Sequence, residues 1–444
     1  MAPTKDVTRR GFLKSTGAAV AGGGLAAASP QIPARTNPSG QETAVREHRT
    51  LGRTGFQVSD IGFGGAFINN SNVMEVALDM GVNYIDTGEH YANGQSERSI
   101  GQALQGRDRS KIFLTTKLNL SFGGGAEVED LKRRFHQCLE RLQTDYADCL
   151  MIHMTPVADQ IKHEPYHTAI EELMAEGKVR FSGLSNHGTE HSVYGRTQDT
   201  MEDVIGAAVE DGRFDVALFV YNFLQKEQGE RVIEMCRSKN MGVTLMKTDP
   251  VNVNARIMES YEQSRQRGRE IPERAQRLAD EYDAFAAGAA AFIERHGLQS
   301  TEEVRQAAIK FVLDNPGVHS VCPTINTFDA LESFVALSGQ RLTETDGSML
   351  ESYEQLLGRF YCRHACGQCE ASCPQRVPVN TIMRYNHYFE AHGREKLAMD
   401  KYARLGGAKA DVCADCDGAC ESACPHGVPA RTMLTRAHRN LVLG

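Results

Sequence analysis

From residue 48 onward the chain alternates between two hydrophobic periods. Short runs rich in β-branched and aromatic residues are followed by longer runs whose apolar residues return every three or four positions. The short runs cover 59–65, 83–87, 112–118, 147–153, 179–186, 216–222, 242–248 and 318–324. Several are apolar on both parities, as in Cys149-Leu150-Met151-Ile152 and Ala217-Leu218-Phe219-Val220, the pattern of a strand covered on both faces. Between them, Leu131, Phe135, Cys138, Leu139 and Leu142 draw one apolar stripe along a helix. Eight such units predict an α/β fold, a closed (β/α)8 TIM barrel.

Polar and titratable residues stand where these strands end: Asp86, Lys117, His153 and the pair Ser185-Asn186. In a barrel of this kind those ends share one rim, where active sites are built. Four distant segments therefore converge on one predicted pocket.

The residues that surround these positions are 49–55 (Arg-Thr-Leu-Gly-Arg-Thr-Gly), Asp86-Thr87-Gly88-Glu89-His90-Tyr91, Thr116-Lys117, Ile152-His153, and Glu176-Gly177-Lys178-Val179-Arg180 leading into Gly183-Leu184-Ser185-Asn186. Together they resemble the aldo-keto reductase family over 48 to about 340. The resemblance implies catalytic positions at Asp86, Tyr91, Lys117 and His153, and hydride transfer between a nicotinamide cofactor and a small carbonyl or alcohol. A carbonyl that receives a hydride becomes an alkoxide, which calls for a proton donor and an electrostatic clamp. Tyr91 is the candidate donor. A phenol is too weak an acid near neutrality unless a cation lowers its pKa, a charge Lys117 can supply while Asp86 holds it. Neutral His153 would orient the carbonyl.

By the same resemblance Ser185 and Asn186 would hold the carboxamide, with Tyr221, Lys247 and Asn326 completing the nucleotide site. The chain departs from the family at Leu218, where a Gln is usual, and at Lys247, where an aromatic commonly stacks on nicotinamide. Segment 323–336 carries Asp329 and Glu332 but no Lys or Arg for a 2'-phosphate, so NAD is expected ahead of NADP.

Eight of the 12 cysteines crowd between Cys362 and Cys424. Cys362, Cys366, Cys369 and Cys373 form one set, Cys413, Cys416, Cys420 and Cys424 the other, and each set ends in Cys-Pro. This resembles a two-cluster bacterial ferredoxin of the helical kind, in which the fourth thiolate of each set crosses to the other 4Fe-4S cluster. Zinc is the alternative, for which this run is poorly spaced. The other four, Cys138, Cys149, Cys236 and Cys322, sit in apolar runs and read as inert buried thiols.

The formal charge of -8 leaves no basic excess for nucleic acid. The apolar stretch at 18–28 is about half of what a membrane span needs. It follows Thr8-Arg9-Arg10-Gly11-Phe12-Leu13-Lys14 and ends in Ala26-Ala27-Ala28, an order that resembles a twin-arginine export signal, which implies a periplasmic or extracytoplasmic destination. The predicted organisation is a signal and linker (1–45), a barrel (46–345) and a small, mostly helical iron-sulfur domain (350–444). Two function classes follow: a carbonyl reductase with an appended cluster module, or an exported electron-transfer protein, served by a redox partner protein, whose barrel binds without turnover.

Overall fold

The computed structural model describes residues 43–68, 70–120, 126–188, 199–251, 276–298, 301–390 and 393–442. The segment with the arginine pair lies outside them. The first described element is an antiparallel hairpin of β1 (His48–Thr50) and β2 (Gln57–Ser59). Its turn drives Leu51 into the foot of the barrel. Gly52 is required there: its φ is +47°, and a Cβ would stand 2.4 Å from the Gly242 nitrogen.

The eight predicted strands are all present and run parallel in chain order: β3 (Phe63–Gly64), β4 (Tyr84–Asp86), β5 (Phe113–Leu118), β6 (Ala147–Ile152), β7 (Val179–Asn186), β8 (Val216–Val220), β9 (Gly242–Met246) and β10 (Ser320–Val321). The first and last are shorter than their hydrophobic runs. Ser59 is taken by the hairpin, and Pro323 has no N–H to donate to a ladder. Single bonds close the seam instead, from the Gly62 N–H to the Val321 carbonyl (2.8 Å) and from the Gly64 N–H to the Pro323 carbonyl (3.0 Å).

Alternation along the strands sorts the side chains. Tyr84, Phe113, Cys149, Met151, Val216 and Leu218 fill the barrel interior. Ile85, Leu114, Leu150, Ile152, Ala217 and Phe219 meet the surrounding helices. The predicted stripe on the helix Val128–Leu142 is buried in this outer layer. Cys138, Cys149, Cys236 and Cys322 are buried, and burial pushes the Cys236 thiol up to about 12, as expected of inert thiols.

Two further cores follow. The helix Gln276–His296 packs its Phe285 and Phe292 with Tyr353 and Met349 of the helix Glu344–Leu357. The arginines at 256, 265, 267, 269 and 274 lie outside the described residues. The cysteine-rich segment folds around Ile382, Tyr402, Leu434 and Leu441, from the helices Val379–Glu390, Glu395–Ala403 and Ala430–Leu441. No helix among the described residues is long and apolar enough to cross a membrane.

The cysteine module is seated on the β7–β8 end of the barrel. Ala365 is buried in the barrel's outer layer. Arg363 Nε donates to the Leu224 carbonyl (2.9 Å), Gln225 Nε2 to the His364 carbonyl (2.8 Å), and Asn222 Nδ2 to Tyr361 Oη (3.1 Å).

Candidate active site and cysteine centre

Inward parity on β4, β5 and β6 puts Asp86, Lys117 and His153 on one rim. Lys117 is fully buried, and its ammonium donates to Asp86 Oδ1 (2.6 Å), to the Thr87 carbonyl (2.6 Å) and to Tyr91 Oη (3.4 Å). Tyr91 enters from a turn in which Ala92 and Asn93 both take left-handed backbone, φ 50° and 56°. The ring of His153 lies edge-on to it, centroids 5.3 Å apart. These four predicted residues are thus brought together.

Their electrostatics divide. Burial works against the Lys117 charge, but Asp86 and Tyr91 outweigh it and hold the ammonium above its ordinary pKa. Burial, with Lys117 second, pushes His153 well below the usual imidazole range, so it is neutral as expected. For Tyr91 the expectation reverses. Burial lifts the phenol above its ordinary value, and Lys117 pulls it back only in part.

Beneath His153 is a brace that the sequence reading missed. Arg134 donates to both oxygens of Glu89 and to the Asn119 carbonyl (2.8 Å); Asn119 takes Glu89 Oε1 on its N–H (3.0 Å) and donates Nδ2 to the His153 carbonyl (3.0 Å). Burial raises the Glu89 carboxyl, but His90, Arg134 and Asn119 prevail and hold it at about 2. Its sequence signal is a buried arginine inside the Leu131–Leu142 apolar stripe.

On the other half of the rim, Ser185 Oγ accepts from the Met154 N–H (3.0 Å) and Asn186 Nδ2 donates to the Thr155 carbonyl (2.8 Å). Asn186 Oδ1 is buried with no protein partner among the described residues. Lys247, half-buried at the end of β9, takes left-handed backbone with φ 52°. Asn326 is exposed in the loop before the helix Phe328–Val335. Tyr221 is a correction: it is 1% exposed, its ring is packed against Phe311 (5.4 Å), and its hydroxyl meets Asn315 (3.4 Å), away from Ser185 and Asn186. The cause is parity. Leu218 faces inward, so Tyr221 faces the helices and Asn222 takes the inward place.

In the cysteine module one pocket is lined by Cys362, Cys366, Cys369 and Cys424. Burial pushes the Cys362 thiol up, and Cys366, Cys369 and Cys424 push it further. Cys413 has Cys416, Cys420 and Cys373 in the same role. The fourth cysteine of each set therefore neighbours the other set. N–H···S contacts reach the cysteines from Asn380 Nδ2 to Cys362 Sγ (3.7 Å) and from the Val377 N–H to Cys373 Sγ (3.4 Å). Among the described residues no three His, Cys, Asp or Glu side chains gather to the spacing of a single metal ion. The module is also an internal repeat, Cys-Glu-x-x-Cys-Pro-x-x-Val-Pro, at 369–378 and 420–429. Glu370 accepts the Asn380 N–H (2.7 Å) and Glu421 the Arg431 N–H (2.8 Å), each at the start of the following helix.

A sequence profile of the Aldo/keto reductase family matches residues 63–355, and the chain belongs to that family. It is 32% identical over 150 residues to the uncharacterized oxidoreductase YqkF of Bacillus subtilis (31% of this chain, 48% of that protein), and 34% identical over 154 residues to the L-galactose dehydrogenase of Arabidopsis thaliana (31% and 48%). The chain spans about half the length of these curated relatives. The solved aldo-keto reductase AKR11C1 from Bacillus halodurans, at 23% identity, shares the fold with a TM-score of 0.50 over 69% of this chain and 95% of that one. The profile match ends before the first clustered cysteine, Cys362.

Proposed function

We propose that the barrel is a nicotinamide-dependent oxidoreductase acting on a small carbonyl or alcohol, and that the cysteine module carries two 4Fe-4S clusters. The observation that carries the first part is the buried Lys117 ammonium joined to both Asp86 and Tyr91. Nicotinamide, when bound, supplies or accepts the hydride. The buried Asn186 Oδ1, without a protein partner among the described residues, fits its carboxamide N–H, with Ser185 beside it. Neutral His153 donates a hydrogen bond to the carbonyl oxygen and fixes its direction. Tyr91 delivers its hydroxyl proton to that oxygen as the carbon is reduced, and Lys117 stabilises the phenolate left behind. In the reverse direction Tyr91 takes the alcohol proton.

The donor set of the module supports iron-sulfur clusters over zinc. A cubane holds its four thiolates farther apart than one ion does, which suits thiols that among the described residues do not gather to the spacing of a single ion. Cys362, Cys366, Cys369 and Cys424 would hold one cluster; Cys413, Cys416, Cys420 and Cys373 the other. Bound clusters would supply one-electron storage. Anaerobically purified protein should contain about eight iron and eight sulfide. Stoichiometric zinc without sulfide would overturn this half of the proposal.

A second reading, an electron-transfer protein whose barrel binds without turnover, is supported by the mismatch between nicotinamide, which gives up two electrons as one hydride, and an iron-sulfur cluster, which accepts one at a time. Mass spectrometry for bound nucleotide, with a screen of carbonyl reduction, separates the two. The arginine pair supports export by the twin-arginine route. Replacing Arg9 and Arg10 with Lys should leave precursor in the cytoplasm, and normal export of that variant would remove the assignment.

A further inference from the structure

We propose that Arg384, supplied by the cysteine module, is a positioning residue that holds the nicotinamide side of the barrel rim in its binding shape. The inference rests on the reading of Ser185 and Asn186 above. Ser185 and Asn186 are the last two residues of β7, and His187 and Gly188 follow directly. Arg384 stands on the helix Val379–Glu390 and is 1% exposed. Its Nη1 donates to His187 Nδ1 (3.1 Å), to the His187 carbonyl (3.3 Å) and to the Gly188 carbonyl.

Burying a guanidinium against backbone carbonyls carries a desolvation cost that is offset only by good geometry, so the contact fixes the chain where it binds. Gly188 turns there with φ 87°, and two residues earlier Asn186 keeps Oδ1 buried and without a protein partner among the described residues. His187 is pushed well below its ordinary pKa by burial first, then by Lys247 and Arg384, so its Nδ1 remains an acceptor. Arg384 and His364 of the module, Lys247 just after β9 and His153 just after β6 all act on it in this direction.

The internal repeat carries no arginine at the matching place of its second helix. Arg384 is the sixth residue after Pro378; the sixth after Pro429 is Thr435, whose hydroxyl donates to the Arg431 carbonyl within its own helix (2.9 Å). Two helices begin alike, and the one against the barrel carries an arginine at the place where it meets β7. The arginine therefore serves the contact with the barrel.

The experiment uses the full chain, purified anaerobically with its native metal content, as wild type, Arg384→Met and Arg384→Lys. NADH is titrated by calorimetry, and iron, sulfide and the electron paramagnetic resonance signal of the dithionite-reduced protein are measured on the same samples. Arg384→Met should weaken NADH binding by at least about tenfold, as expected for loss of charge-assisted hydrogen bonds. Iron, sulfide and the resonance signal should stay unchanged. Arg384→Lys should recover most of the affinity, because an ammonium also donates to carbonyls. Wild-type affinity in Arg384→Met would overturn the proposal. So would a parallel loss of iron and affinity in both variants, which marks a pin needed only for folding. Wild-type protein that binds neither NADH nor NADPH would instead sink the reading of Ser185 and Asn186, and the inference with it.

Discussion

On the β4–β6 side of the rim, Tyr91 and His153 are held by residues of the barrel: Lys117, Asp86, Asn119 and the Glu89–Arg134 brace. On the β7–β8 side, the chain beyond the strand ends is held by residues of the cysteine module: Tyr361 on Asn222, Arg363 on Leu224, Arg384 on His187 and Gly188. On the proposed function, proton chemistry would thus be built on the barrel's own scaffold, whereas nucleotide binding would lean on a neighbouring fold. Changes in the first half should alter turnover with little effect on binding. Changes in the second should do the reverse.

The largest expected effect breaks the first half. Tyr91→Phe removes the proton donor and keeps the ring, so carbonyl reduction should fall by roughly 100 to 10,000-fold. NADH affinity should barely move. Lys117→Met acts on the same proton, so the double variant should lose less than the product of the single losses. Unchanged turnover in Tyr91→Phe would show that Tyr91 is not the proton donor.

The brace under His153 comes next. Arg134 and Glu89 have side chains 4% and 9% exposed. Removing one partner leaves a buried charge, so Arg134→Leu should cost about 3 kcal/mol in denaturant unfolding. A loss under 1 kcal/mol would show the pair to be expendable. The pH dependence has a definite sign. Glu89 drops from 4.5 to about 2 in the folded chain, so its contribution is complete above about pH 4.5 and is lost as pH falls toward 2. Glu89→Gln should be less stable at neutrality and show a flatter decline through that window. An unchanged acid profile would assign the acid sensitivity to other carboxylates.

What could be read from the sequence follows the same division. The β4–β6 half is written in strand-end residues whose parity is fixed by a long apolar run, so Asp86, Lys117 and His153 fall inward together. The β7–β9 half depends on where each strand stops. Tyr221 lies one residue past the described end of β8, where parity alone sends it outward, and Lys247 sits where a left-handed residue ends β9. Arg384 could not be found from hydrophobic period at all, because its partners are carbonyls almost 200 residues away. The helical pattern of the residues between the two cysteine sets predicted the helical character of the module. The same pattern gave no hint of its seat on the barrel, which depends on the surface of two folds rather than on either pattern.

The smallest effect concerns which nicotinamide the second half accepts. Segment 323–336 has no Lys or Arg, and Asp329 is exposed on the first turn of the helix Phe328–Val335. Arg341 would be the nearest cation in sequence, but it is paired with Glu47 (2.8 Å), which also binds Arg49 of β1. Arg305 lies 6.0 Å from the Phe334 ring, yet it already faces Asp249 (3.2 Å) and Glu302 (2.9 Å). A 2'-phosphate carries close to two negative charges and would have to draw Arg305 away from both carboxylates. A penalty of about 1.4 kcal/mol already favours NADH tenfold. We therefore expect NADH to bind at least as tightly as NADPH, and Asp329→Arg to move the preference toward NADPH without changing turnover of the bound complex. Calorimetric titration of both nucleotides decides it: a clear NADPH preference in the unaltered chain, abolished by Arg305→Gln, would show that Arg305 leaves its carboxylates for the phosphate and that the acidic segment does not set the choice.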